Sequence, residues 1–156
     1  VPEVQFINGI TAILAISKNN VIGDKGKLPW KCKRDIEFFR SVIDGKTCIV
    51  GRKTYETLPK LPVKKYIILT KNNFHDVIQN LEKEAYVIGG AQIYKLFIPY
   101  CDKVFLSIIN EICKGDTFFD TSTFINWKKL KTIELEKDRA VCHILQNPLK
   151  WNLKSV

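Results

Sequence analysis

Ala85–Ile98 reads AYVIGGAQIYKLFI, and the run divides in two at Gly89-Gly90. Ahead of the glycines, Ala85–Ile88 has the apolar, partly β-branched make-up of a buried strand. After them, Ala91–Ile98 has helical spacing and halts before Pro99, whose ring disfavours helical backbone in the residue preceding it. A strand that passes straight into a helix is the repeating unit of a parallel α/β sheet.

The same alternation runs upstream. Ile10–Ile16 (ITAILAI) is a continuous apolar run suited to a strand buried on both faces. Ser17–Trp30 carries Asn19-Asn20, Gly23, Asp24, Gly26 and Pro29, the turn chemistry of a long surface loop. From Cys32 to Ile43 the residues Ile36, Phe39, Val42 and Ile43 recur at helical spacing, and Asp44-Gly45 supplies the stop. Thr47–Val50 and Tyr66–Leu69 are short β-branched runs. Between them Lys53–Leu58 forms one or two helical turns ending before Pro59, and Asp76–Leu81 reads as a further short helix. Downstream, Lys103–Ile109, Leu130–Glu136 and Val141–Leu145 read as strands with no helix between them, which requires antiparallel pairing. The expected architecture is one domain over residues 1–156, an α/β sheet with an antiparallel edge. The tail Asn147–Val156 is left without an assignment.

Composition narrows the function classes. With 46% hydrophobic and 26% charged residues the chain is an ordinary globular one. A net charge of +9 favours anionic partners, but the lysines are spread out and no basic run is interleaved with aromatics, so nucleic acid is not expected. The five cysteines are odd in number, widely separated and form no CxxC pair, and there are only two histidines, which argues against a disulfide framework or a metal site. Glu3 stands where a signal peptide would be basic, and Ile10–Ile16 is too short to span a bilayer. A cytoplasmic location without membrane attachment is the expectation.

Three features could carry chemistry. Asp35 precedes Phe39 by four and Val42 by seven, which places a carboxylate on the apolar stripe of its helix. In the first turn it could merely complement the helix dipole. Buried without a structural cation, it would instead have a raised pKa and a preference for a cationic or amidine-like group. Gly89-Gly90 allows close backbone approach to a ligand at a helix start, and Gly51-Arg52-Lys53-Thr54 repeats that arrangement with two cations and a hydroxyl. Two such strand ends suggest a dinucleotide. Arg52 with Thr70 and Lys71 is a cluster suited to a 2′-phosphate, or else a solvated basic face. A GxGxxG fingerprint is absent.

Taken as a series, Ile22-Gly23, Leu28-Pro29-Trp30, Asp35 with Phe39, Gly51–Glu56, Leu61-Pro62, Ile88–Tyr94 and Gly115-Asp116-Thr117 resemble dihydrofolate reductase in residue type, order and spacing. The resemblance implies an eight-stranded, mostly parallel mixed sheet with an antiparallel C-terminal strand and flanking helices. It implies reduction of 7,8-dihydrofolate by NADPH, with hydride passing to pterin C6 and a proton to N5; a monomer is the separate expectation. By resemblance Asp35 would hold the 2-amino group and N3 of the pterin, with Leu28 and Trp30 beside it in the catalytic set. Ile13, Leu14, Ala15, Phe39, Leu58, Leu61 and Ile88 would wall the ring, and Ser107 would support the carboxylate. Ala15, Ile22, Gly23 and Leu28 would border the nicotinamide. The rest of the cofactor would meet Gly51, Arg52, Lys53, Thr54, Leu69, Thr70, Lys71, Gly89, Gly90, Ala91, Gln92, Ile93, Tyr94 and Thr117. The Ser17–Trp30 loop would close over it.

One position departs from the pattern. After Leu61-Pro62 the family carries an arginine that clamps the glutamate carboxylate of the substrate, and here Lys64 stands in its place. A lysine is a point charge and cannot form the bidentate fork. A related pteridine or pyrimidine reductase, or a catalytically idle homologue kept as a binding or structural module, would tolerate that change.

Overall fold

Eight residues of almost unbroken apolar sequence form strand β1 (Ile10–Ser17), which can be solvated on neither face and takes the middle of the sheet. It pairs in parallel with β5 (Ala85–Val87) on one side and with β6 (Lys103–Ile109) on the other. The structure, a computed structural model, describes residues 9–81 and 84–149. Beyond β5 lie β3 (Thr47–Gly51) and β4 (Lys65–Leu69); beyond β6 lie β9 (Ala140–Gln146) and β8 (Lys128–Glu136). The order β4-β3-β5-β1-β6-β9-β8 has β9 antiparallel to both of its neighbours. This is the mixed sheet expected from the sequence, with seven strands among the described residues rather than eight.

Four helices supply the crossovers: α1 (Lys33–Ile43), α2 (Arg52–Thr57), α3 (Phe74–Asn80) and α4 (Ala91–Phe97). Side-chain alternation along the strands builds a core on each face. Ile10, Leu14, Ile16, Leu106, Tyr94 and Phe97 belong to one cluster, under α3 and α4. Ile13, Val50 and Ile88 belong to another, covered by Phe38, Phe39, Val42 and Ile43 of α1. Ile36 fits the helical spacing yet is 49% exposed, so its match to the apolar stripe was incidental. The stop at Asp44-Gly45 is real: Gly45 has φ +69 and its amide donates to Pro62 O at 2.8 Å. Helix α4 ends at Phe97, and the chain tightens into a 3-10 turn through Pro99.

Three short elements escaped the sequence reading. The loop after β1 contains a short strand, β2 (Val21–Gly23), paired antiparallel with β7 (Thr117–Phe118). Between β7 and β8 a 3-10 turn covers Thr121–Phe124, capped by the Asp120 carboxylate accepting from Ser122 N–H at 3.0 Å. Of the unassigned tail, Asn147 is buried and its side-chain amide donates to Cys101 O and Pro99 O, while residues 150–156 lie outside the described residues.

Candidate active site

Asp35 sits in the first turn of α1 and is only 8% exposed. A first-turn carboxylate suits the helix dipole, but that alone does not require burial. Ser107 of β6, itself 2% exposed and flanked by Ala15 and Cys142 in register, hydrogen-bonds the carboxyl. Burial raises the Asp35 pKa, and the Ser107 bond offsets only part of that rise. The Cys142 thiol nearby is pushed up to about 11, mainly by burial, and the Tyr94 hydroxyl is raised by burial and by the Asp35 charge. No cation pairs with Asp35 among the described residues. A carboxylate held in a dry pocket of hydroxyls and a thiol lacks a positive partner, and a cationic or amidine-like group could supply one.

The apolar walls expected around it divide between the two sheet faces. Ile13, Phe39, Leu58, Leu61 and Ile88 share one cluster on the α1 side. Leu14, the next residue along β1, joins the opposite cluster, so its side chain cannot wall the same space. Ala15 packs with Trp30 in a third cluster, around Cys32, Ile109 and Ala140. Trp30 is 5% exposed, whereas Leu28 stands 53% exposed on the loop.

At the far side of β1 the two glycine turns lie edge to edge, because β3 and β5 are paired. Gly51 N–H donates to Gly89 O at 2.8 Å. A Cβ on Gly51 would meet Ile93 Cγ1 at 2.9 Å, one on Gly90 would meet Thr54 Oγ1 at 2.8 Å, and Gly89 has φ +125. Side chains are thus excluded from the seam, which leaves bare backbone. Tyr94 Oη donates to Ile13 O at 2.7 Å and ties α4 to β1. Helices α2 and α4 have six and seven residues, so their dipoles are short and the cations at hand carry more of any attraction for phosphate. Arg52, Lys53 and Lys71 are exposed and have no carboxylate partner among the described residues. Thr70 N–H is held by Asn73 Oδ1 at 2.8 Å. Ala91 is half-buried at the start of α4 and Gln92 is exposed beside it. Leu69 and Ile93 face the core, which limits Leu69 to contacts through its backbone.

The loop after β1 is fastened to the segment after β6. Asn19 Nδ2 donates to Cys113 O and Asn19 Oδ1 accepts from Cys113 N, Phe119 N donates to Asn20 O, and Asp116 N donates to Gly23 O. The Asp116 carboxylate accepts from Lys25 N–H and from the Thr117 hydroxyl, bonds that lower its pKa. The Thr117 hydroxyl is therefore committed to Asp116, and Ile22 packs inward with the core of the opposite face.

Lys64 is exposed, with its backbone N–H on Lys46 O at 2.9 Å. Arg40, five residues after Asp35 on α1, donates to Lys60 O at 3.2 Å and spans from the helix to the 58–64 segment. Sequence reading passed over Arg40 because an exposed helical arginine has no distinguishing spacing.

A sequence model of the family described as dihydrofolate reductase matches residues 9–147. The dihydrofolate reductase of Staphylococcus haemolyticus is 33% identical, over 83% of this chain and 87% of the relative. That of Buchnera aphidicola subsp. Baizongia pistaciae is 31% identical, over 90% and 97%. Among solved structures, dihydrofolate reductase from Enterococcus faecalis complexed with NADP(H) and RAB-propyl superposes with a TM-score of 0.77 at 29% identity, covering 90% of this chain and 97% of that one.

Proposed function

The chain belongs to the dihydrofolate reductase family, and from that premise we propose that it reduces 7,8-dihydrofolate to 5,6,7,8-tetrahydrofolate with NADPH. The observation that carries the reading is Asp35, a buried carboxyl with a raised pKa, bonded to Ser107 and without a cation partner among the described residues. The pterin 2-amino group and N3 are the donors such a group selects.

The residues present fit the cofactor. Gly51 and Gly89-Gly90 pack so tightly on Ile93, Thr54 and Tyr94 that no side chain fits there, which leaves backbone amides as the groups that could meet a pyrophosphate; Arg52, Lys53, Thr70 and Lys71 offer charge and hydroxyl to the adenosine phosphate. When bound, NADPH supplies the hydride at its nicotinamide C4. The chain's own residues do the rest. Asp35 orients and polarises the ring, Ser107 orients Asp35, and Ile13, Phe39, Leu61 and Ile88 exclude water around it. Ala15 and Leu28 would border the nicotinamide, with Ile22 and Gly23 reaching it through their backbone, and Trp30 packs in one cluster with Ala15. A water delivers the proton to N5, so one carboxylate is sufficient without a histidine. Lys64 would meet the glutamate carboxylate as a point charge. A cytoplasmic setting agrees with five cysteines that all stand as free thiols.

Oxidation of NADPH followed with dihydrofolate as the acceptor tests the proposal. Stoichiometric tetrahydrofolate is the expected product. NADPH binding without turnover would instead favour an idle homologue or another pteridine substrate.

A further inference from the structure

Arg139 occupies the turn between β8 and β9, and its guanidinium gathers three chain segments. Nη2 stands 3.1 Å from Glu111 Oε2, Nε stands 3.2 Å from Glu136 Oε2, and Nη2 also donates to the carbonyl oxygen of Lys31. Glu111 in turn accepts the Lys18 N–H on its backbone oxygen at 2.9 Å. Lys18 opens the loop that follows β1 and Lys31 closes it. One guanidinium thus reaches the far end of the loop directly and its near end through Glu111.

Directly beneath this clasp lies the cluster of Trp30, Cys32, Ile109 and Ala140, with Ala15 and Cys113 packed against it. Lys31 joins Trp30 to Cys32, and Cys32 O accepts from Ile36 N in the first turn of α1, the turn that carries Asp35. The Glu111 Oε2 atom is itself shut off from solvent and meets Arg139 as an ion pair, between side chains that are 38% and 39% exposed. The other described ion pair, Arg34 with Glu37, lies within one helix on open surface and holds no segment to another.

We propose that Arg139 is a positioning residue for the reaction: with Glu111 it grips both ends of the Lys18–Lys31 loop and thereby fixes Trp30 and the Asp35 turn of α1 against the sheet. The inference rests on the dihydrofolate reading and adds to it a residue that touches neither substrate nor cofactor. Arginine is required because a lysine ammonium cannot serve a carbonyl and two carboxylates in fork geometry.

The test compares wild type with Arg139→Ala, Arg139→Lys and Glu111→Gln, and uses Arg34→Ala as a surface control. The rate of hydride transfer in a single turnover at saturating substrate is expected to fall about tenfold in Arg139→Ala, roughly 1.4 kcal/mol of barrier, with KM for dihydrofolate within about twofold. Arg139→Lys and Glu111→Gln are expected to fall in between and Arg34→Ala to match wild type. Fluorine NMR of 5-fluorotryptophan protein reads the same displacement at Trp30, as a shifted or broadened resonance in Arg139→Ala. A melting temperature lowered with the transfer rate and the Trp30 resonance unchanged would overturn the proposal, since Arg139 would then serve stability alone. If Arg139→Ala does not fold, the Lys and Gln variants carry the same comparison. A wild type that does not reduce dihydrofolate sinks the underlying reading; an active wild type with unaltered variants sinks only this one.

Discussion

The two ends of the proposed substrate site follow different rules. At the inner end Asp35 is 8% exposed and bonded to Ser107. At the outer end Lys64 is exposed, and only its backbone is fixed. A charge in the dry interior is expensive, so it persists only where its environment is fully specified. A charge in water costs little and can be exchanged. Function should therefore be brittle at the inner end and graded at the outer one.

The largest expected break is at the inner end. Asp35→Asn should lower turnover by roughly two to four orders of magnitude, because the amide cannot offer the pterin an anionic acceptor. The same change should stabilise the fold. A carboxyl whose folded-state pKa is raised above its ordinary 3.8 binds its proton more tightly when folded, so the wild type loses stability as pH rises from that value through the folded pKa. The variant is expected to melt higher at neutral pH, with the gap closing below pH 3.8. Melting curves across that range check the sign, and a variant that melts lower at neutral pH would contradict a buried, unpaired Asp35.

At the outer end the change should be gentler. Lys64→Arg is expected to lower KM for dihydrofolate about fivefold, near 1 kcal/mol for a gained charge-assisted bond, with kcat unaltered. An unchanged KM would show that Lys64 already serves the carboxylate fully or does not meet it. The smallest effect tests the support of Asp35. Ser107→Ala removes the one hydrogen bond that lowers its pKa, so the apparent pKa governing hydride transfer should move upward. A pH profile that stays in place would separate Ser107 from the chemistry.

Much of this was legible in the sequence, for local reasons. β1, α1, β3 and the glycine turn before α4 all announce themselves by periodicity or by Gly and Pro punctuation within a dozen residues. What stayed hidden depends on distant partners. The three residues of β2 become a strand only through β7, and the Asn19–Cys113 bonds beside them join positions 94 residues apart. Arg139 gave no sign because its value lies in Lys31 and Glu111, both remote in the chain. The assignment of Leu14 to the pterin wall ran against strand alternation, which already placed it opposite Ile13.

The placement of β1 in mid-sheet has a consequence for biosynthesis. Its neighbours in the sheet, β5 and β6, begin at residues 85 and 103, so the most apolar strand leaves the ribosome long before either partner exists. Such non-local pairing is slow and leaves a sticky segment uncovered in the interval, which invites chaperone capture of nascent chains. Asp35 finds its Ser107 neighbour only after β6 has docked. A ligand held at Asp35 would therefore need β6 in place, and such a ligand should rescue late-folding variants during expression.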